Sequence, residues 1–250
     1  MPRITRKSLR RGMVGIEAAI VLIAFVIVAA ALAFVVLNMG FVTTQKSSAV
    51  IQSGLGEAST ALEVDGSVLA YSQLGTYVNY TVIPIKVSPG RHFVDLYPGR
   101  ASIVYWSTKA GSFADIYVAY GYVYKNTTDN NYYLAVYDTS GNALVTIGTP
   151  SAKIGTAINL TKVWEILNGA INDEVYAAVI WINSNQNYTE KDTNLELGEK
   201  AIVMIGFKSP SVQPTVYQTV KIEIKPPEGA TLTVERTMPP GIPVGVIDLG

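Results

Sequence analysis

The chain has no cysteine. That excludes a disulfide framework, a thiolate metal site and a cysteine nucleophile. Its one histidine, His92, sits in the turn-like segment Pro89-Gly-Arg-His-Phe. A lone imidazole can act as a general base, but no serine stands in a nucleophile-elbow motif beside it, so a loop imidazole is the plainer reading. No glycine-rich phosphate loop is present, and no nucleotide site is expected. Asp192, Glu196 and Glu199 lie close enough in sequence to gather a hard cation, yet they lack the spacing of a calcium loop. An exposed acidic loop is the simpler reading. The expectation is a chain that is not an enzyme, with no catalytic residue, no cofactor and no metal.

Charge is scarce as well, and unevenly placed. The whole chain balances at 19 basic and 19 acidic residues. Residues 1–15 hold five of the basic ones, Arg3, Arg6, Lys7, Arg10 and Arg11, and no acid. Without that leader, 14 basic side chains face 19 acidic ones, a net charge of −5. No basic stripe remains, which excludes nucleic acid as a partner by charge. From Ala18 to Gln45 there is no charged residue at all. A bilayer crossing takes about 20 apolar residues, so the run from Ile16 to Phe41 is long enough. A basic flank stays on the cytoplasmic side, which places everything after the run outside.

The order of these features excludes an ordinary secretory signal. Such a signal has an apolar core of about 7–15 residues followed by a small-residue cleavage site, and the core is lost. Here the core is longer, and the small-residue site, Gly12-Met13-Val14-Gly15, precedes it. Cleavage between Gly15 and Ile16 would remove the basic leader and leave the apolar helix as the new N-terminus. That is the layout of class III signal peptides. The segment 10–38, Arg-Arg-Gly-Met-Val-Gly followed by Ile-Glu-Ala-Ala-Ile-Val-Leu-Ile-Ala-Phe, resembles archaeal flagellins (archaellins) within the type IV pilin-like superfamily. A plain uncleaved single-pass anchor is the alternative, but it has no need of Gly15 or of an acid at the edge of its core.

Glu17 is that acid. A carboxylate in hydrocarbon is expensive unless paired. Cleavage would create a positive amine on Ile16 one residue away, and a helix N-terminus favours an anion. Pairing of Glu17 with the Ile16 amine of its own or a neighbouring subunit is one reading. A snorkelling contact with lipid headgroups is the other.

Beyond Gly40 the sequence turns polar while Ile51, Leu55, Ala58 and Leu62 keep a helical stripe. One helix from Ile16 to about Leu62 is expected, about 70 Å long at 1.5 Å per residue, ended by Asp65-Gly66. From Ser67 the pattern changes to period two, rich in Val, Ile, Tyr and Thr. Strands are expected at 78–86, 101–107, 115–124, 132–138, 175–183, 201–207, 216–225 and 231–235, with a short helical or irregular connection at 161–171. The fold class is α+β: a long hydrophobic N-terminal helix followed by an all-β immunoglobulin-like sandwich. The expected domains are a cleaved leader (1–15), the helix (16–64) and an outer β domain (65–250).

Later segments strengthen the resemblance. Residues 194–205, Asn-Leu-Glu-Leu-Gly-Glu-Lys-Ala-Ile-Val-Met-Ile, and 225–239, Lys-Pro-Pro-Glu-Gly-Ala-Thr-Leu-Thr-Val-Glu-Arg-Thr-Met-Pro, are similar to archaellin motifs. So is the junction 57–68. Between about 70 and 160 the resemblance fades. It implies a structural subunit that polymerises with itself, or with other archaellins, into the archaeal flagellum (archaellum) for swimming. It also implies a prepilin-type peptidase, an assembly platform and a motor as partners. The precursor would lie in the cell membrane with its N-terminus cytoplasmic, and the mature filament outside the cell. Four Asn-x-Thr sequons, at Asn79, Asn126, Asn159 and Asn187, are candidates for N-glycosylation, which the resemblance favours. Asn126 and Asn187 lie in polar stretches, Asn79 and Asn159 in or near apolar patterns. An archaeal adhesion pilin, or a membrane-anchored surface binding protein or enzyme, are the competing functions.

Overall fold

The computed structural model describes residues 9–58, 61–90, 92–126, 128–145, 152–183 and 192–250. They form two compact units that divide between Leu55 and Gly56.

The first unit is essentially one helix, α1 (Leu9–Ala58). Fifty residues at 1.5 Å each give about 75 Å. Ala, Leu and Met favour it, and no proline interrupts it. Thr43 and Thr44 donate their hydroxyls to the carbonyls of Met39 and Gly40, 2.8 and 2.9 Å away. This back-bonding lets polar side chains sit in an apolar helix without a free donor. Its described residues end at Ala58, and the helix does not reach the expected Leu62. Leu62 pairs instead with Val87 in the sheet and is buried there.

The second unit holds, among the described residues, sixteen strands and one helix. In order they are β1 (Leu62–Val64), β2 (Leu69–Ser72), β3 (Tyr80–Val87), β4 (Phe93–Asp95), β5 (Ser102–Ser107), β6 (Gly111–Phe113), β7 (Tyr117–Lys125) and β8 (Tyr132–Asp138). Then come β9 (Ala143–Val145), β10 (Lys153–Gly155), α2 (Leu160–Ala170), β11 (Val175–Asn183), β12 (Asn194–Glu196) and β13 (Lys200–Phe207). The last are β14 (Thr219–Lys225), β15 (Leu232–Thr237) and β16 (Gly245–Asp248).

A ten-stranded sheet runs β10-β8-β7-β11-β13-β3-β2-β16, with β1 and β9 attached to β3 and β8; a four-stranded sheet runs β15-β14-β5-β6. Between them lies the larger core, with Ile83, Val179, Trp181, Val203 and Phe207 from one side meeting Ile103, Tyr105, Val220 and Ile222 from the other. The opposite face of the large sheet is covered by α2, whose Val163, Trp164 and Leu167 pack with Tyr80, Val82, Tyr176, Ile180 and Met204. β13 is therefore buried on both faces and reads as a continuous apolar run, whereas β14 alternates. The pair β7–β11 is parallel. Parallel neighbours need a crossover, which is why a helix sits in an otherwise β domain. A long apolar helix followed by a β-rich domain is the expected class.

Candidate functional site

The feature that calls for an explanation is the surface of α1. No side chain from Gly15 to Leu55 is buried. Twenty large apolar side chains lie open on it, with Ile16 at 64%, Phe25 at 73% and Phe34 at 71% of full exposure. Each gains about 1.5–3 kcal/mol when taken out of water. Twenty of them left wet forfeit on the order of 30–60 kcal/mol, several times the net stability of a whole domain. The helix must therefore sit in lipid or against other protein. Gly15–Gly56 is long and apolar enough to cross a membrane. It is also apolar on every side rather than along one stripe, as a helix surrounded by neighbours must be. A Cβ at Gly15, Gly40 or Gly54 would meet nothing within 4 Å, so these positions are open to close approach by another chain.

The expected cleavage bond, Gly15–Ile16, lies inside α1, and Glu17 is exposed just beyond it. The helix thus carries all three residues on one unbroken turn. On the outer domain the sequons divide by geometry. Asn79 is 7% exposed, and its side-chain oxygen accepts from the Gln73 N–H at 2.8 Å. Its sequon partner Thr81 is fully buried. Asn159 is exposed and is the N-cap of α2, its Oδ1 accepting from the N–H groups of Thr161 and Lys162 at 3.0 and 3.3 Å. The cap uses its Oδ1 and not its Nδ2, the atom a glycan would occupy. Asn126 is half-buried and accepts from the Thr128 N–H at 2.8 Å. Asn187 lies outside the described residues. Local polarity gives no sign in the sequence that Asn159 caps a helix.

The other polar candidates are structural. His92 is exposed, and its carbonyl accepts from Leu197. Asp192 accepts from the Asn194 N–H, and Glu199 folds over its own turn to accept from the Glu196 N–H at 3.1 Å. Among the described residues no group of three His, Cys, Asp or Glu is placed to hold a metal ion. Sequence reasoning overlooked Asp65, which it used only as a helix stop. Asp65 binds Lys200 at 2.6 Å and Lys86 at 3.4 Å, tying the end of β1 to β13 and β3. Lys200 above all, with Lys86, holds its carboxyl below the usual range against the opposing effect of burial.

A family model described as archaeal-type flagellin matches residues 12–236. The chain belongs to the archaeal-type flagellin family. It is 42% identical to a probable flagellin of Aeropyrum pernix over 96% of this chain and 98% of that one. It is 30% identical to a probable flagellin of Archaeoglobus fulgidus over 95% and 96% of the two chains. Among solved structures it is similar to the archaeal flagellum of Methanospirillum hungatei, at 25% identity, 93% and 98% coverage and a TM-score of 0.47. A flagellin of this family is a structural filament subunit, not an enzyme. The uncovered apolar surface of α1 fits a subunit that assembles with copies of itself.

Proposed function

We propose that this flagellin is made as a membrane precursor and matures into the subunit of an extracellular swimming filament. The observation that carries this is α1, a helix of fifty residues whose apolar side chains have no cover in a single chain. The precursor inserts with Arg3, Arg6, Lys7, Arg10 and Arg11 on the cytoplasmic side. A prepilin-type peptidase cuts between Gly15 and Ile16. Glycine lowers the cost of opening the helix there by up to about 1 kcal/mol relative to alanine. The helix then leaves lipid and packs among identical helices. Lipid is as apolar as leucine, so the exchange is driven by fit, and small residues such as Gly40 and Gly54 allow it. Glu17 pairs with the new Ile16 amine of its own or a neighbouring subunit.

The outer domain forms the shell. Asn159 and Asn126 are the sequons whose placement suits a glycan, and the burial of Asn79 argues against its use. The chain has no phosphate-binding loop, so assembly energy and torque come from an assembly platform and motor made of other proteins. Gly15→Val tests the leader. The expected result is full-length precursor held in the membrane with no filaments. Filaments built from subunits trimmed at the same bond despite the substitution would refute the assignment of Gly15.

A further inference from the structure

A seven-residue repeat runs along α1. Val21, Val28, Val35 and Val42 follow one another at intervals of seven. Asn38, Gln45 and Gln52 form a second row of the same period, with Asn38 three residues after Val35 and four before Val42. Alternating steps of three and four keep both rows on one side of a helix, as in the seam of a coiled coil. At about 100° per residue the three carboxamides stay within about 40° of one another. The nearest charged positions, 46 and 57, lie about 80–140° round the helix from them.

The single chain leaves these carboxamides unpaired. All three are exposed, and among the described residues none has a side-chain hydrogen-bond partner. The hydroxyls of Thr43 and Thr44, on the same stretch, are satisfied within the helix. Lipid does not call for the row either. A hydrocarbon core of about 30 Å takes about 20 residues, and from Glu17 that length ends near Leu37, just before Asn38.

We infer that Asn38, Gln45 and Gln52 set the stagger of the packed α1 helices by bonding to the same row on other copies of the chain, an inference that rests on the filament reading above. Head-to-tail association builds an open helix, and a helix turns the same side of every copy toward its axis, where like rows meet. A carboxamide both donates and accepts, so such a row is complementary to its own copy. Once water is excluded, each carboxamide left unpaired carries the cost of an unmade bond. A stagger of seven residues, about 10.5 Å, brings Asn38 level with Gln45 and Gln45 level with Gln52. A stagger of fourteen, about 21 Å, brings Asn38 level with Gln52. Both also keep valine level with valine, whereas a stagger of three or four sets Asn38 against Val35 or Val42. Polar residues within an apolar seam fix register in this way, at some cost in stability.

Helical reconstruction of the filaments by electron cryo-microscopy reads the stagger directly. The expected result is a carboxamide of one copy within about 3.2 Å of a carboxamide of another, their helices offset by seven or fourteen residues. A row that faces away from the axis, or any other offset, would overturn the inference and leave the filament reading intact. The triple variant Asn38→Leu, Gln45→Leu, Gln52→Leu tests the role of the row as well as its place. Leucine packs in such a seam, so these filaments are expected to form and to lose their single axial rise. Asn38→Gln keeps the carboxamide and is expected to retain it. Triple-variant filaments with the one rise of the unmodified filament would also overturn the inference. The reconstruction decides the matter whether or not the triple variant assembles. Failure of the unmodified chain to form filaments would overturn both readings.

Discussion

Gly206 faces Tyr176 across the β11–β13 pair, and a Cβ there would lie 2.2 Å from Tyr176 Cζ. The tyrosine ring is fully buried against that glycine, so there is no space to give. Gly206→Ala is expected to destabilise the outer domain by about 1–3 kcal/mol, as overpacking does, read as a fall in its thermal midpoint. Asn159 offers a finer separation. Asn159→Ala removes the cap of α2 and should cost about 1 kcal/mol. Asn159→Asp keeps the capping oxygen and suits the helix dipole, so stability should hold while any glycan mass at that position disappears. Intact mass and thermal midpoint measured on both variants distinguish cap from sequon. Asp65 makes a prediction in pH. Its folded pKa lies below its unfolded value, so the stability it contributes is present above the unfolded pKa and lost as pH falls through the folded one. Glu223, held down by Lys221 and Lys225, acts in the same direction. The thermal midpoint should fall below about pH 4, and Asp65→Asn should flatten that fall. Little of this was legible in the sequence. Gly206 reads as one more residue of an apolar strand, and the partners of Asp65 lie on strands brought to it only by folding.

At the scale of elements, periodicity carried most of the information. β8 and β11 occupy the expected spans, and the connection around Trp164 is the helix α2. The short strands β2 and β16 escaped notice because four residues are too few to establish a period, and their pairing joins Leu69–Ser72 to the end of the chain. The stripe Ile51, Leu55, Ala58 and Leu62 suggested that α1 runs through Leu62. Leu62 satisfies the helical spacing by chance and is claimed by β3. The helix itself was plain, since nothing but an apolar environment explains its uncharged stretch. Val28 lies near the middle of that stretch. Val28→Asp is expected to cost about 2.5–3.5 kcal/mol of membrane insertion, and to leave a subunit that neither fractionates with membranes nor enters filaments. Thr43→Val removes only a back-bond to Met39 and should do neither. Fractionation of cells expressing each variant gives the comparison.

For the whole molecule, the outer domain has its own two cores and is complete alone, while α1 is complete only in company. The membership in the flagellin family was legible at both ends of the chain, where the leader, the helix and the 194–205 and 225–239 motifs lie. It faded between about 70 and 160, a span that holds β3 to β10. The most direct test of the central claim is the N-terminal mass, by mass spectrometry, of this chain in filaments sheared from cells. A subunit beginning at Ile16 is expected, recovered in long surface filaments. Recovery only from membranes, beginning at Met1 or Pro2, would contradict maturation and assembly alike.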